Sequence, residues 1–420
     1  GKAGLRLLER SALVEAVAHL TRAIEQLATL PPSTSVRREQ IKLHSALITP
    51  LIHVKGYAAP ETKAAAEQTK LLIEQAEALG ETPEDPLMWY LVLYGFAAGH
   101  VVAFNGDVLR ELAEELITRA EKQGATAPMM VGHRMMGHAL LITGEIAAAQ
   151  AHYSRGLALY DPIEHRPFAT RFGQDISVAN MSFRSLALWL LGYPERALAD
   201  ANRALKDAQE IGQAATLMFA LTYAAKAQTH CGHFAHANSL LEQVIALADQ
   251  KSSPYWKGFG MSEQACALVA TGDTSAAVHQ FKLGMTTLCS TGATLFVPWF
   301  LSNLAKAYGD LGELDDAWRH IDEATTTMQT SNQRWCEAET NRIAGEISLL
   351  SPKRDAAKAE GYFERALSVA RQQQAKSFEL RAAMSLARLW RDQGKPQQAR
   401  ELLAPVYGWF TEGFDTLDLK

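Results

Sequence analysis

The amino-acid sequence predicts an all-α protein: a right-handed superhelical solenoid of antiparallel helix hairpins that runs continuously through residues 1–420. Three observations predict this fold class. The composition favours helices, glycines recur with a period of about 40 residues, and small side chains stand at fixed distances from those glycines. A chain of 420 residues is also longer than one hydrophobic core usually supports, and a repeat array avoids that limit.

The composition favours helices and gives no sign of a nucleic-acid or membrane partner. Apolar residues make up 48% of the sequence, and 41 Lys plus Arg against 46 Asp plus Glu give a net charge of −5. No long run of one charge sign is present, and no apolar run reaches the ~20 residues that span a bilayer. The four cysteines form no C-x-x-C pair, which is typical of reduced thiols. We therefore expect a cytoplasmic protein.

Six glycines and six alanines define the repeat. The glycines are 40 residues apart through the middle of the chain, with an interval of 48 residues before this run and one of 82 residues after it. An alanine follows each glycine by five residues, and a small residue precedes each by seven. The repeat positions are Gly144, Ala149, Gly192, Ala197, Gly232, Ala237, Gly272, Ala277, Gly312, Ala317, Gly394 and Ala399.

The residue types at these positions are those that a helix hairpin needs. The glycine stands where the first helix ends and the chain reverses, a position that favours positive φ. Two helices approach closely only where their facing side chains are small, which explains the alanine. Residues 298–324, which include Tyr308, Gly312 and Ala317, resemble the tetratricopeptide repeat. Its usual period is about 34 residues, so each helix here is about one turn longer.

The pattern predicts about nine hairpins preceded by a leading helix. A copy in the 82-residue interval has Gly345 at its small position and a longer turn around Pro352. Towards the N-terminus the pattern weakens, with hairpins that turn near Gly56 and Gly106. Residues 11–32 predict the leading helix, and no stretch predicts a strand.

Residues 160–175 break the period and contain the candidate binding site. They supply the extra residues of the 48-residue interval, with 161–172 as a long loop between repeats. Long loops inside compact arrays are often functional, although this one could also serve only to join two hairpins. The candidate ligand- or partner-binding residues are Tyr160, Asp161, His165, Arg166, Gln174 and Asp175.

The sequence predicts no catalytic, cofactor or metal site. It lacks the phosphate loop G-x-x-x-x-G-K-[ST], the zinc motif H-E-x-x-H, the nucleophile elbow G-x-S-x-G and the dinucleotide motif G-x-G-x-x-G. His230, Cys231, His233 and His236 crowd together, but they straddle a predicted helix reversal, where we expect polar residues at an exposed turn. The tryptophans recur in phase with the repeat and are predicted to pack in the core, although Trp256 could face the concave groove.

Four segments carry a more specific resemblance. Residues 372–419 (QQQAKSFELRAAMSLARLWRDQGKPQQARELLAPVYGWFTEGFDTLDL) resemble the C-terminal segment of large bacterial class III adenylate/guanylate cyclases. Residues 55–61 (KGYAAPE), 158–175 (ALYDPIEHRPFATRFGQD) and 187–198 (ALWLLGYPERAL) are similar to other parts of the same region. The family motif YDP..HR..GQD falls on the six candidate residues, but this chain continues as GQDIS where the family has GQDPG.

The resemblance implies a regulatory role. In that family a nucleotidyl cyclase domain and a signalling ATPase module precede a tetratricopeptide array, so catalytic domains are absent here and expected upstream of residue 1. The array is then a non-catalytic scaffold that binds a protein or peptide partner, or a small effector, in its concave groove, and contacts the parent's ATPase and cyclase domains. Three alternatives are the effector-sensing array of an ATPase-type transcription regulator, a free-standing interaction scaffold, and an enzyme with its site in residues 160–175.

Overall fold

The computed structural model describes residues 1–9, 13–56, 59–81, 88–170, 173–350 and 355–420, which form helices and short connections without a strand. The helices of the N-terminal half are α1 (Lys2–Glu9), α2 (Leu13–Ala28), α3 (Thr34–Lys55), α4 (Pro60–Ala78), α5 (Met88–Val102), α6 (Gly106–Gln123), α7 (Thr126–Thr143), α8 (Ile146–Ala158), α9 (Pro162–His165), α10 (Ile176–Leu190) and α11 (Pro194–Ile211). Those of the C-terminal half are α12 (Ala214–Cys231), α13 (Phe234–Gln250), α14 (Pro254–Thr271), α15 (Thr274–Cys289), α16 (Val297–Asp310), α17 (Leu314–Ser331), α18 (Glu337–Leu350), α19 (Ala356–Gln372), α20 (Lys376–Asp392) and α21 (Pro396–Tyr407). None of the helices described is both long and apolar enough to cross a membrane.

The predicted all-α solenoid is confirmed. Within the described ranges the helices form ten consecutive pairs, against the nine hairpins and one leading helix that were expected. The additional pair arises because α2, the predicted leading helix, packs against the short helix α1. The interval at 161–172 contains α9 and a 3-10 turn, Arg166–Thr170. Gly56 follows α3 with a positive φ, whereas Gly106 is the first residue of α6 and Phe104 has the positive φ at that turn. The longer turn predicted around Pro352 lies outside the described residues.

The repeat positions have the geometry of tight hairpins. The six turn glycines stand at or just after the end of a first helix, with φ between +76° and +96°, and the six alanines are all buried. At Gly137 an added Cβ would lie 2.7 Å from the ring of Tyr153, and at Gly345 it would lie 2.5 Å from the ring of Phe363. The first helix therefore needs a small residue where the second helix crosses it.

Successive turns of the superhelix contact each other directly. The carbonyl oxygen of Val102, at the end of α5, accepts hydrogen bonds from the backbone N–H groups of Thr294 and Leu295, both at 2.9 Å. The same kind of bond joins Trp335 N–H to the Ile142 carbonyl at 3.1 Å and Leu417 N–H to the Cys231 carbonyl at 3.2 Å. In each case the partners are about 190 residues apart, nearly five periods, so the array completes one superhelical turn in that distance.

Some turn glycines also make room for the next superhelical turn. An added Cβ at Gly192 would lie 2.6 Å from Cζ3 of Trp409, and Gly144 and Gly232 are similarly covered by side chains from far along the chain. At Gly312 nothing lies within 4 Å of the added atom. Gly144, Gly192 and Gly232 thus allow both the helix reversal and the approach of the next superhelical turn, whereas Gly312 serves only the reversal.

Aromatic side chains fill much of the superhelix axis. The first helices line this axis, as the predicted concave groove requires, but α7, α10 and α12 are buried on nearly all faces. The rings of Phe259 and Phe296 stack at 5.5 Å. The ammonium of Lys226 lies 4.7 Å from the Phe296 ring centroid and 5.5 Å from that of Trp335, and it is paired with Glu263 at 2.5 Å. These side chains occupy much of the predicted concave groove, so that only small spaces remain between the aromatic rings.

Candidate functional site

A cavity remains open inside the superhelix, beside α5, α7, α10, α12 and α14, and we call it the aromatic cavity. It is small, with a volume of about 30 Å³, which is enough for one or two water molecules. Its aromatic walls are Tyr94, Phe183, Phe219, Tyr223, Tyr255 and Trp256. Val102 and Leu295, whose backbones are hydrogen-bonded across the superhelical turns, also line it. The aromatic cavity therefore lies where two turns meet.

Arg134 is the buried cation of the aromatic cavity. Its side chain projects from α7, and the residue is only 8% exposed. One guanidinium nitrogen donates to Gln174 Oε1 at 3.0 Å, and the group lies 5.5 Å and 5.8 Å from the ring centroids of Tyr94 and Phe219. The other terminal nitrogen, Nη1, is buried without a hydrogen-bond partner. Among the described residues no carboxylate lies within the 4 Å of an ion pair with Arg134.

The burial of α7 explains why this arginine cannot reach bulk water. Neighbouring helices cover the residues on both sides of it, including Val131 and Met135. A guanidinium in such a place loses its hydration, and cation–π contacts with two rings replace only part of it. Arg134 can therefore donate charge-assisted hydrogen bonds to an anionic group that enters the cavity.

Two further polar side chains of the aromatic cavity have buried nitrogens without partners. His138 lies one turn after Arg134 on α7, and neither of its ring nitrogens has a hydrogen-bond partner. The indole nitrogen Nε1 of Trp256 also has none. Burial, helped by the charge of Arg134, lowers the pKa of His138 to about 3. The imidazole is therefore neutral near pH 7 and offers one N–H donor and one acceptor.

Tyr160 and Asp175 close the 160–175 loop against α10. The Tyr160 hydroxyl donates to Asp175 Oδ2 at 2.7 Å. The other carboxylate oxygen of Asp175 caps α10 by accepting from the Val178 N–H at 3.0 Å, and the Asp175 N–H donates to Thr216 Oγ1 at 3.0 Å. Burial raises the pKa of Asp175 despite these hydrogen bonds, and burial beside this carboxylate raises the pKa of Tyr160.

Asp161, His165 and Arg166 hold the start of the same loop. Asp161 caps α9 through Oδ1, and His165 Nδ1 lies 2.9 Å from the Asp161 backbone nitrogen. The buried ring of His165 reaches Thr126 on α7 through Nε2, at 3.1 Å. Arg166 lies on the surface and bonds Glu210 at 3.2 Å. These three residues thus connect the loop to α7 and α11.

Gln174 is the candidate residue that joins the loop to the aromatic cavity. It is buried, it lines the cavity, and it accepts the hydrogen bond of Arg134. His165, Arg166 and Asp175 do not line that cavity. The structure therefore brings Tyr160 and Asp175 together next to Gln174. Arg166 is half-buried, bonds Glu210, and lies close enough to Tyr160 and Asp175 for its charge to lower the pKa of both, against the effect of burial.

The histidine cluster at the α12–α13 turn is exposed only in part: His233 and His236 are exposed as expected, but His230 and Cys231 are not. Cys231 is buried because the C-terminal segment covers this turn through the Leu417–Cys231 backbone bond, and His230 is buried beside the rings of Trp189 and Trp299. The His230 ring stacks on Trp189 at 4.0 Å, and burial lowers its pKa well below the ordinary value. Across the part of the chain that the structure describes, no group of three or more His, Cys, Asp or Glu side chains is arranged to hold a metal ion.

Neither Arg134 nor His138 was predicted from the sequence as a site residue. The available signal was a single arginine within the apolar first helix VGHRMMGHALL, where the repeat leaves no solvent-facing side. Trp256, for which the sequence left open core packing or a position facing the concave groove, is 1% exposed and lies in the wall of the cavity. A charged residue in a first helix of a solenoid is thus the feature that points to the interior site.

Comparison with known proteins supports the repeat assignment. The family model described as Tetratricopeptide repeat matches residues 298–323 and 380–405, which lie in the α16–α17 and α20–α21 hairpins. The first of these segments contains most of the copy that resembled the repeat in the sequence. A search of curated protein sequences gave no significant match.

Solved structures of similar architecture align over most of the chain. A Rap protein complexed with Competence and Sporulation Factor aligns with a TM-score of 0.62 at 12% identity, covering 89% of this chain and 98% of that chain. The Rap conjugation gene regulator of plasmid pLS20, in complex with the Phr* peptide, aligns at 0.52 and 10% identity, covering 87% and 94%. The apo quorum sensor NprR from B. thuringiensis aligns at 0.52 and 12%, covering 88% and 99%. At these identities the likeness shows the fold: a helical-repeat solenoid of the tetratricopeptide type.

Proposed function

We propose that this chain is the non-catalytic regulatory scaffold of a larger signalling protein, and that it relays the binding of a peptide partner or small effector to catalytic modules. The resemblance of residues 372–419 to bacterial class III cyclases supports a parent with cyclase and ATPase domains. Two similar structures contain bound signalling factors, Competence and Sporulation Factor and the Phr* peptide, which supports ligand binding by this architecture.

One observation carries the proposal: the aromatic cavity lies at the contact between two superhelical turns. Val102 and Leu295 line it from different turns, and the Leu295 N–H bonds to the Val102 carbonyl. A partner or effector that binds where these turns meet touches both of them, and so has a different affinity for arrays in which the turns are close or apart. Such a difference in affinity is what a ligand needs to shift a conformational equilibrium.

The 160–175 loop is proposed as the second part of the sensing region. Gln174 contacts Arg134, while Asp161, His165 and Arg166 fix the loop to α7 and α11. A change at the cavity can therefore reach the outer surface through Gln174, where Ile163 on α9 is 90% exposed. Partner contact at this loop is a prediction that follows from its position.

The proposal is tested in two steps. The first is the sequence encoded upstream of Gly1: a class III cyclase domain and an ATPase phosphate loop support it, and a DNA-binding domain favours the transcription-regulator alternative. The second compares cyclic-nucleotide synthesis by the full-length parent with that of Leu295→Ala and of the matched control Leu311→Ala, whose side chain is 41% exposed. We expect the first variant to change output and the second to leave it unaltered. Equal output from all three proteins would contradict a relay through the turn contact.

A further inference from the structure

We propose that residues 408–420 form a releasable clasp: this segment holds two superhelical turns together, and its release lets them separate. The inference rests on the proposed relay and adds the element that controls it. The clasp follows α21 without forming a further helix. It crosses from the last hairpin to α10–α13, where its partners lie up to 218 residues earlier in the chain.

A glutamate of the clasp caps a helix of the other turn. Glu412 accepts a hydrogen bond from the backbone N–H of Arg196, in the first turn of α11, at 3.1 Å, and pairs with its guanidinium at 3.3 Å. In return, the Gly413 N–H donates to the carboxylate of Glu195 at 2.8 Å. Backbone N–H groups at the start of a helix have no partner within it and favour a carboxylate. Since Tyr193, the residue before α11, gives no side-chain cap, the clasp supplies one.

The end of the clasp is fixed by a second acidic residue. Asp418 pairs with Arg381 of α20 at 2.7 Å, and the guanidinium of Arg381 lies 4.9 Å from the ring centroid of Trp189 on α10. The neighbouring Leu417 donates its N–H to the Cys231 carbonyl at the end of α12, at 3.2 Å. The clasp therefore joins the last hairpin to two helices of the other superhelical turn.

Glycines on both sides let the clasp approach its partners closely. Gly413 has a φ of +78°, and an added Cβ there would overlap the ring of Pro194. Opposite the clasp, an added Cβ at Gly192 or Gly232 would lie 2.6 Å and 2.8 Å from side chains of the segment. Close approach at three places indicates a specific docked position for these residues.

The same segment is easier to detach than a helix. Its backbone is irregular and about half of its residues are exposed, including Phe414 and Leu417 at 49% and 50%. Elements with few buried contacts open locally at a lower free energy than packed hairpins do. Release breaks the bonds of Glu412, Gly413 and Leu417 to the other turn, and it uncovers the α12–α13 turn while the helices stay folded.

Labelling of the Cys231 thiol with a maleimide measures release. Cys231 is 1% exposed, and burial, together with the charge of Asp418, raises its pKa to about 12. Modification therefore requires that the clasp leaves, and its rate follows the released fraction. The exposed Cys289 gives the reference rate. The buried Cys336, whose Sγ lies 4.0 Å from Met328 Sδ on α17, reports unfolding of the helices.

A steric variant of the full chain displaces the clasp. Gly413→Ala places a Cβ on the Pro194 ring, and its control Gly394→Ala has a similar φ, +76°, with nothing within 4 Å of the new atom. We expect Gly413→Ala to label Cys231 at least about ten-fold faster relative to Cys289, and to have a larger radius of gyration in small-angle scattering. The control should behave like the wild type.

A charge variant tests the same element without adding bulk. Glu412→Ala combined with Asp418→Ala removes both carboxylates, and the control combines Asp392→Ala with Glu401→Ala, two exposed carboxylates of the last hairpin. Losing charge-assisted hydrogen bonds should again speed Cys231 labelling at least about ten-fold. Cys336 should stay protected in every variant.

Three results would overturn the inference. The first is labelling of Cys231 at the wild-type rate in both clasp variants. The second is an equal rise at Cys336, which would show unfolding instead of release. The third is faster labelling at unchanged molecular dimensions, which would show that the segment detaches without holding the turns.

The clasp and the relay can fail separately. Release that leaves cyclic-nucleotide synthesis by the full-length parent unchanged would refute the relay and keep the clasp. A response of the parent to Leu295→Ala, with Cys231 labelled equally in the wild type and the clasp variants, would keep the relay and refute the clasp.

Discussion

Gly192 offers a direct test of whether the superhelical turns contact each other. Gly192→Ala and the control Gly312→Ala both place a side chain at positive φ, +88° and +82°, so both should lose about 1–2 kcal/mol of stability. At Gly192 the new Cβ would also lie 2.6 Å from Trp409 Cζ3 and 2.9 Å from the Cβ of Lys376, atoms of the next turn. Overpacking of this kind costs a further 1–3 kcal/mol or so, while Gly312 has nothing within 4 Å.

The assay is urea unfolding followed by far-UV circular dichroism, with both variants measured beside the wild type. We expect Gly192→Ala to lose about 2–5 kcal/mol and Gly312→Ala only about 1–2 kcal/mol. Small-angle scattering should also show Gly192→Ala to be more extended, because the clash separates the turns. Equal destabilisation and equal dimensions of the two variants would show that Gly192 does not face a packed surface in solution.

Three further predictions concern packing and titration. In urea unfolding, Gly345→Ala should destabilise the protein by about 1–3 kcal/mol because its Cβ would meet Phe363, whereas Gly361→Ala, which has open space on α19, should stabilise it by about 0.5–1 kcal/mol. The reverse order of stability would contradict the packing of α18 on α19. The lowered pKa of His138 means that the unfolded chain binds a proton below about pH 6.5 and the folded chain does not. Between pH 7.5 and pH 5 the wild type should therefore lose about 2 kcal/mol of its free energy of unfolding that His138→Leu does not lose. Parallel stability–pH profiles of the two proteins would refute the burial of a neutral His138. The raised pKa of Asp175 has the opposite effect, because the folded chain holds this proton more tightly than the unfolded chain does. The stability of the wild type relative to Asp175→Asn should therefore decrease as the pH rises above the ordinary pKa of aspartate, and a relative stability that increases with pH would contradict this account.

The hairpins could be predicted from the sequence because their determinants are local and repeated. The residues equivalent to Gly312 and Ala317 have the same role in each copy of the repeat. A helix reversal requires little beyond a glycine with positive φ and small residues where the two helices cross. The loop at 160–175 was recognisable for the converse reason, since it interrupts the period. Its internal bonds, such as Tyr160 to Asp175, depend on how the loop folds back and are not encoded in spacing.

The closure of the superhelix could not be predicted, because it depends on contacts between residues nearly five repeats apart. His230 and Cys231 illustrate the consequence. In an isolated hairpin they would lie at an exposed turn, but Leu417 of the next superhelical turn covers Cys231, and the ring of Trp299 packs against His230. Arg134 was missed for the same reason, since its unusual environment arises only when five hairpins surround the axis.

Amide hydrogen exchange at Thr294, Leu295 and Trp335 tests the closed superhelix most directly. These N–H groups lie in connections between helices, and their hydrogen-bond acceptors are carbonyl groups about 190 residues away. The contact between turns predicts that they exchange slowly, at rates similar to those of amides inside the neighbouring helices. Exchange at the rate of exposed connections would show that the turns are apart in solution, and would contradict both the closed superhelix and a relay through its central cavity.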